Sequence, residues 1–227
     1  VLFRSGYLFG AYKKITSAYE GILTGKPGMF GGSKIRPEAT GYGLIYFTKR
    51  MLEIEGKSDL KDKVCTVSGS GNVAMYAMEK LYQLGAKPVT CSGSKGMLYD
   101  EHGIDLDLIK KIREERQPLD SYLKTHKHST FTKVQDYPEG THPVWNIPCY
   151  GAFPCATQNE LSEKDAKALI NNGCVVVGEG ANMPSTTKAV DLFIAKKILF
   201  APAKAANAGG VAVSEFEMSQ NASMQSW

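Results

Sequence analysis

No run of apolar residues in this 227-residue chain approaches the ~20 needed to cross a bilayer, so no membrane partner is expected. The opening Val1-Leu2-Phe3-Arg4-Ser5 lacks the basic stretch and long apolar core of a secretory signal. Strong charge of either sign is lacking too. Twenty-seven Lys and Arg against 23 Asp and Glu leave +4, without the clustered basic bias of nucleic-acid binders. Cysteines are few and odd in number, Cys65, Cys91, Cys149, Cys155 and Cys174, with no C-x-x-C spacing. That pattern supports neither a structural zinc site nor a disulfide framework, and reads as reduced thiols in a cytoplasmic protein. His102, His126, His128 and His142 show no metal spacing beside carboxylates, so no metal is expected. The sequon Asn221-Ala222-Ser223 carries no meaning in that compartment. There is no internal repeat and no low-complexity tract.

What is present is an alternation of two hydrophobic periods. Leu44, Phe47 and Met51, with Ile45 and Leu52 alongside, recur at helical spacing between Thr40 and Ile54. Val64-Cys65-Thr66-Val67 reads as a short buried strand. A helical face follows on Val73, Ala77, Met78, Leu81 and Leu84, stopped by Gly85, and Pro88 to Cys91 is the next strand. Residues 64 to 91 therefore form a β-turn-α-β unit with parallel strands. Ile104 to Lys124 is helical but broken near Pro118, and Ser129 to Pro148 is weakly patterned. A strand lies near Ile147 to Phe153. Ser162-Glu163-Lys164-Asp165 opens a helix with a capping box, and Gly173 ends it. Cys174 to Val177, a helix from Thr186 to Lys197, and a strand at Ile198 to Phe200 complete the pattern. The expected fold class is α/β: a doubly wound, Rossmann-like, mostly parallel sheet over roughly residues 36 to 205.

Gly69-Ser70-Gly71-Asn72-Val73-Ala74 has the G-x-G-x-x-A form, after a strand and opening a helix. Gly69 permits the tight turn, Gly71 lets backbone approach a pyrophosphate, and Ala74 lets helix and strand pack closely. The helix N-terminus offers unpaired N–H groups to the anion. A dinucleotide is the expected ligand. An NAD site usually has an acid near the end of the second strand. Here Ser92-Gly93-Ser94-Lys95 stands there, which favours the 2′-phosphate of NADP through Ser92 and Lys95, with NAD still possible. Asp100 and Glu101, a few residues on, are alternative ribose ligands. Gly25-Lys26-Pro27 and Gly32-Ser33-Lys34 lack the GK[ST] core of an NTP-binding loop.

Three loops dense in amides and hydroxyls follow expected strands: Pro154 to Glu160, Gly178 to Pro184, and Ala205 to Val211. A fourth, Gly31 to Thr40, precedes the first helix. Ligands of a doubly wound sheet bind outside the carboxyl ends of its strands. Amides suit a carboxamide, and Arg or Lys suits a carboxylate.

These four loops, with Arg36-Pro37-Glu38-Ala39-Thr40-Gly41-Tyr42-Gly43, the Gly69–Ala74 turn and Ala205 to Gln220, closely resemble hexameric glutamate dehydrogenases of the small bacterial and protist type. The resemblance runs from about Gly6 to Trp227. It implies reversible oxidative deamination of L-glutamate to 2-oxoglutarate and ammonium with NAD(P), and a homo-hexamer for the full-length family. It implies that Thr40 and Asn207 hold the nicotinamide carboxamide, with Asn182 nearby. Ser70, Asn72 and Val73 would line phosphates and ribose, and Gln158 and Asn159 would border the cofactor cleft. Ser214 would bond the substrate's side-chain carboxylate, with Val211 beside it and Arg36 at the cleft.

The family's catalytic lysine and proton-transferring aspartate lie on an N-terminal domain that nothing here matches, so no catalytic residue is assigned. Residues 1–35 are expected to be an edge of the substrate domain, 36–205 the dinucleotide domain, and 206–227 a helix returning to the first domain. Val1 to Ser5 departs from the family and reads as translated adapter sequence. Glu215 replaces an expected glycine, Tyr150-Gly151 replaces Asp-Ile, and Ala203 replaces a glycine. A carboxylate at 215 would repel a substrate carboxylate unless it points away. Two rival readings remain: a leucine, phenylalanine or valine dehydrogenase, which Ser214 disfavours, and an isolated dinucleotide-binding module without turnover.

Overall fold

The computed structural model describes residues 2–225 and 227. Helix α1 (Leu2–Thr16) and a loop lead into α2 (Arg36–Ile54). Strand β1 (Val64–Val67), α3 (Asn72–Gln83) and β2 (Lys87–Pro88) form the first strand-helix-strand unit. Then come β3 (Thr90–Gly93), β4 (Gly96–Tyr99), α4 (Leu106–Glu114), a 3-10 segment Leu119–Lys124, and β5 (Thr130–Lys133). Strand β6 (Gly151–Phe153), α5 (Glu163–Asn171), β7 (Val176–Gly178), α6 (Thr187–Ala195) and β8 (Leu199–Ala201) follow. The short α7 (Ala203–Ala206) and α8 (Gly209–Ala222) come last. Of the opening residues, Val1 lies outside the described ones, and Leu2 to Ser5 begin α1.

The main sheet has the order β2-β1-β6-β7-β8, every neighbour parallel. Both faces are covered, as an all-parallel sheet requires. Cys65, Val67, Phe153, Val176 and Ala201 join the core formed with α2, α3 and α4. The alternate positions Ala152 and Val177 join Trp145, Leu169 and Phe193 on the opposite face. This is the doubly wound α/β fold the alternation implies.

Three details depart from the periodicity. Helix α2 starts a turn early, at Arg36, because Pro37 sits in the first turn, where its fixed φ suits helix and its missing N–H is harmless. Arg36 and Thr40 thereby become i, i+4 neighbours on one face. Phe47 is 38% exposed, while the buried face carries Leu44, Ile45, Thr48 and Leu52. The strand expected over Pro88 to Cys91 divides at Val89. Its first part pairs with β1, and its second leaves to form the antiparallel sheet β3-β4-β5. That small sheet draws β5 from the weakly patterned stretch. Strands β6 and β7 begin later than expected, at Gly151 and Val176.

Helix α2 is the hub, and glycine sets its packing distance on two sides. A Cβ on Gly41 would lie 2.6 Å from Ala77 N and 2.7 Å from Val73 O, so α3 packs backbone to backbone there. A Cβ on Gly43 would lie 3.1 Å from Gly209 Cα, where α8 crosses. Residues between α1 and α2 are strapped to α8 by Glu217, which is fully buried. Its carboxylate accepts from Gly25 N (3.1 Å), Lys26 N (3.4 Å), Ser33 N (3.3 Å), Ser33 Oγ (3.1 Å) and Lys26 Nζ (3.1 Å). Asn221, one turn on, is buried and donates from Nδ2 to Gly31 O at 2.7 Å.

Candidate functional site

The strand order reverses direction between β1 and β6, and the crevice outside their carboxyl ends is the general ligand position of such sheets. Gly69 turns there with φ +87°, a conformation that disfavours any side chain. A Cβ on it would also lie 3.1 Å from Cys155 O and 3.2 Å from Ala156 Cα, so the turn fits closely beneath the β6 loop. Its N–H donates to Ser92 Oγ at 2.7 Å, and Ser92 N donates back to Gly69 O at 3.2 Å. Ser92 is itself buried. It holds the glycine turn rather than facing a ligand. Helix α3 starts from Gly71 without a side-chain cap, which leaves its first N–H groups open to an anion.

A cleft of about 470 Å³ opens over this crevice. It brings together Arg36 and Thr40 of α2, Val73 of α3, Gln158 and Asn182 of two loops, Asn207 between α7 and α8, and Val211 of α8. A smaller recess of about 200 Å³ adjoins it at Arg36, Thr40 and Val73 and includes Asn72. Asn207 ties two of the loops. Its Nδ2 donates to Gly180 O (3.3 Å), Ala181 O (3.4 Å) and Asn182 Oδ1 (3.0 Å). Arg36 Nε donates to Ser214 Oγ at 3.0 Å, and Ser214 Oγ donates to Gly210 O at 3.0 Å. Ser214 therefore stands behind Arg36 and is not among the residues lining the cleft. A Cβ on Gly210 would meet Thr40 Oγ1 and the Arg36 guanidinium, so a side chain there would displace both from their positions at the cleft. Asn159 also lies off the lining; it turns in the left-handed region (φ +56°) and donates to Met183 O at 3.0 Å. Glu215 is exposed and off the lining as well.

At the other end of the glycine turn, Ser70 opens a second cavity of about 370 Å³. Lys95 on the β3–β4 turn lines it, joined by Arg113 at the end of α4 and Arg116 just beyond it. No acid lines it. The two arginines were not legible as ligands. Their signal was the helix break before Pro118, which brings the last turn of α4 to the β3–β4 turn.

The charged residues around these cavities have distinct states. Burial pushes the Cys155 thiol well above its ordinary value, so it lines the cleft as a neutral group. Burial likewise raises the Glu160 carboxyl, although Ala156 N and Thr157 N donate to it at 2.9 and 3.2 Å. Glu179, buried, fixes the loops beside the cleft by accepting from Ser185 N at 3.2 Å and Ala203 N at 2.8 Å. Ala203, one of the unexpected residues, thus supplies a backbone donor that any residue but proline would supply. Gly151, another, is tight: a Cβ there would meet the Phe153 ring at 3.1 Å.

Two expectations are overturned. Asp100 is no ribose ligand, because it is fully buried at the end of β4, away from the β3–β4 turn. The histidines are also not remote from carboxylates. His126 and His128 reach Asp100 within one small cluster, because pairing β5 with β4 brings residues 126–129 beside residue 100. Chain spacing could not reveal this. His142 stands apart, and burial pushes it down to about 4.

Residues 31–227 match the family described as Glutamate/Leucine/Phenylalanine/Valine dehydrogenase. The NADP-specific glutamate dehydrogenase of Helicobacter pylori is 56% identical over 223 residues, covering 98% of this chain and 50% of that protein. The NAD-specific glutamate dehydrogenase of Bacteroides fragilis is 48% identical over 226 residues, covering 98% of this chain and 49% of that protein. The solved glutamate dehydrogenase of Plasmodium falciparum superposes with a TM-score of 0.89 at 43% identity, covering 98% of this chain and 47% of that one. The chain spans about half the length of the curated relatives it matches.

Proposed function

Because the chain belongs to the glutamate/leucine/phenylalanine/valine dehydrogenase family, we propose that it forms the dinucleotide-binding part of an NADP-dependent glutamate dehydrogenase. The full-length protein would interconvert L-glutamate and 2-oxoglutarate plus ammonium, with its proton-transferring residues outside this chain. The observation that carries the cofactor choice is the second cavity. Lys95, Arg113 and Arg116 surround it with no acid among its lining, a donor set that fits a dianionic 2′-phosphate and leaves a bare 2′-hydroxyl without its usual acceptor. The glycine turn and the open end of α3 hold the pyrophosphate. Asn207, its nitrogen already committed to the 180–182 loop, presents Oδ1 to the carboxamide, and Thr40 supplies a hydroxyl. When bound, the nicotinamide ring accepts or returns the hydride. Arg36 is the charged side chain lining the main cleft, which favours an anionic substrate over an apolar one. Ser214 positions Arg36 through Nε, so the substrate carboxylate is met on this side by the guanidinium, with Val211 packing beside it.

Removing one guanidinium from a phosphate removes a charge-assisted hydrogen bond worth about 1.5–3 kcal/mol. Arg116→Ala is therefore expected to weaken NADP⁺ roughly 10- to 100-fold by calorimetric titration, with NAD⁺ nearly unchanged. Equal losses for both dinucleotides would overturn the NADP reading. With the full-length protein, kcat/KM for glutamate should far exceed that for leucine; the reverse order would return the assignment to the apolar branch of the family. This chain by itself is expected to bind the dinucleotide without turning over, and glutamate-dependent reduction of NADP⁺ by it would refute that. A cytoplasmic homo-hexamer completes the proposal, checked by sedimentation of the full-length protein. The five free, buried cysteines fit a reducing compartment, and among the described residues no helix is long and apolar enough to cross a membrane.

A further inference from the structure

On the small antiparallel sheet, the end of β4 opposite the Lys95 turn gathers a second set of polar groups. Ligand atoms of Asp100, His126 and His128 all lie within 4.8 Å of one another. His128 Nε2 is 3.1 Å from Asp100 Oδ1, and His126 Nδ1 is 3.6 Å from Asp100 Oδ2. A tetrahedral ion with bonds of about 2.0–2.1 Å places its ligand atoms roughly 3.3 Å apart, so the observed separations bracket that value.

The partners of these groups point the same way. Asp105 Oδ2 lies 3.2 Å from His126 Nε2. A carboxylate there accepts a hydrogen bond from Nε2–H, which keeps the ring proton on Nε2 and leaves Nδ1 as a bare lone pair. In that tautomer the lone pair faces Asp100 Oδ2 at 3.6 Å, an acceptor facing an acceptor, which a cation between them would satisfy. Asp100 is fixed for the purpose. Ser129 Oγ (2.8 Å) and Tyr122 Oη (3.1 Å) donate to its Oδ2, and His102 N donates to Oδ1 at 2.9 Å. Its side chain has no exposure, whereas the His126 and His128 side chains keep 24% and 43%, so the charged anchor is buried and the imidazoles stand at the solvent side.

We propose that Asp100, His126 and His128 bind one divalent transition-metal ion of the zinc class, with Asp105 orienting His126. Two imidazoles and one carboxylate suit zinc, cobalt or nickel; magnesium and calcium require more oxygen ligands than the cluster offers. The fourth position falls to water or to His102, whose Nδ1 is 3.8 Å from Asp100 Oδ1 and whose ring stands edge-on to His128 at 4.6 Å. Bound metal would tie the end of β4 to the loop that joins the Leu119–Lys124 segment to β5, the framework from which Lys95 projects. The competing occupant is a proton: a doubly protonated His126 could bridge Asp100 and Asp105 without metal.

The test uses full-length protein stripped by a chelator and then titrated with zinc chloride, cobalt chloride or magnesium chloride. One zinc per chain is expected. The double variant H126A/H128A should abolish that binding, and Asp105→Asn should weaken it roughly 10- to 100-fold. Cobalt should give the absorption of tetrahedral nitrogen and oxygen ligation in the unsubstituted protein, a readout that stands even if a variant fails to fold. Absence of zinc binding, zinc binding undiminished in H126A/H128A, or a cobalt spectrum dominated by thiolate ligation would each overturn the proposal.

Discussion

Glu217→Ala should destabilise the fold by roughly 3–5 kcal/mol, read as a fall in the urea midpoint at unchanged slope. The buried Lys26 ammonium would lose its counter-ion, keeping only Ile22 O and Leu23 O at 3.1 and 2.9 Å and the Phe9 ring face at 5.5 Å. The backbone N–H groups of Gly25, Lys26 and Ser33 would lose their acceptor as well. Glu217→Gln keeps a hydrogen-bonding oxygen but not the charge, and should fall between. A midpoint shift equivalent to less than about 0.5 kcal/mol would place the pair among ornamental surface bridges. The acid limb gives a second check. Burial alone would raise the Glu217 carboxyl, but the N–H of Gly25, the Lys26 ammonium and the N–H of Ser33 outweigh it and hold the group below the ordinary range. A depressed folded value stabilises the protein above the unfolded pKa, about 4.3 for glutamate, and that share is lost as pH falls through the lower folded value. The gap between the native protein and Glu217→Ala should therefore be full near neutrality and narrow on acidification.

Gly41→Leu is the second large effect, about 3 kcal/mol or more, at the upper end of overpacking penalties. A Cβ at 41 meets Ala77 N at 2.6 Å, Val73 O at 2.7 Å and Tyr76 Cβ at 2.8 Å. Two of those atoms are backbone and cannot swing aside, so α3 itself has to move away from α2. Val73 and Thr40 line the main cleft from those two helices, and dinucleotide affinity should fall along with stability. Gly43→Ala serves as the contrast. Its new Cβ would be 3.1 Å from Gly209 Cα, a shortfall of a few tenths of an ångström, and a much smaller loss is expected. Equal effects at 41 and 43 would contradict the backbone-to-backbone packing of α3 on α2 at Gly41.

Where the chain is strongly periodic, its structure was legible. The strand at Val64, the glycine turn, the helix closed by Gly85 and the Ser162 capping box all stand where local chemistry places them. What escaped was set by pairing between distant segments. Nothing local distinguishes Thr90 from a continuation of β2, and β5 comes from a half-exposed edge whose residues do not alternate cleanly. The site divides the same way. Gln158, Asn182 and Asn207 lie on loops rich in amides and hydroxyls, Arg36 and Thr40 on the first turns of α2, and the cleft gathers them. Ser92 and Ser214 have the right chemistry, but their hydroxyls are committed to Gly69 and Arg36. The Asp100 cluster required the register of the small sheet before it could be seen, and Arg113 and Arg116 required the approach of the end of α4 to the β3–β4 turn.

Lys26 and Glu217 are 191 residues apart in sequence. Closing so long a loop is entropically costly, and such contacts form late, after the local β-α units have condensed. The pair should therefore contribute little to the folding barrier and much to the unfolding one. In a chevron plot, Glu217→Ala should leave the refolding limb nearly in place and raise the unfolding limb, which makes this clasp a determinant of the native state's lifetime.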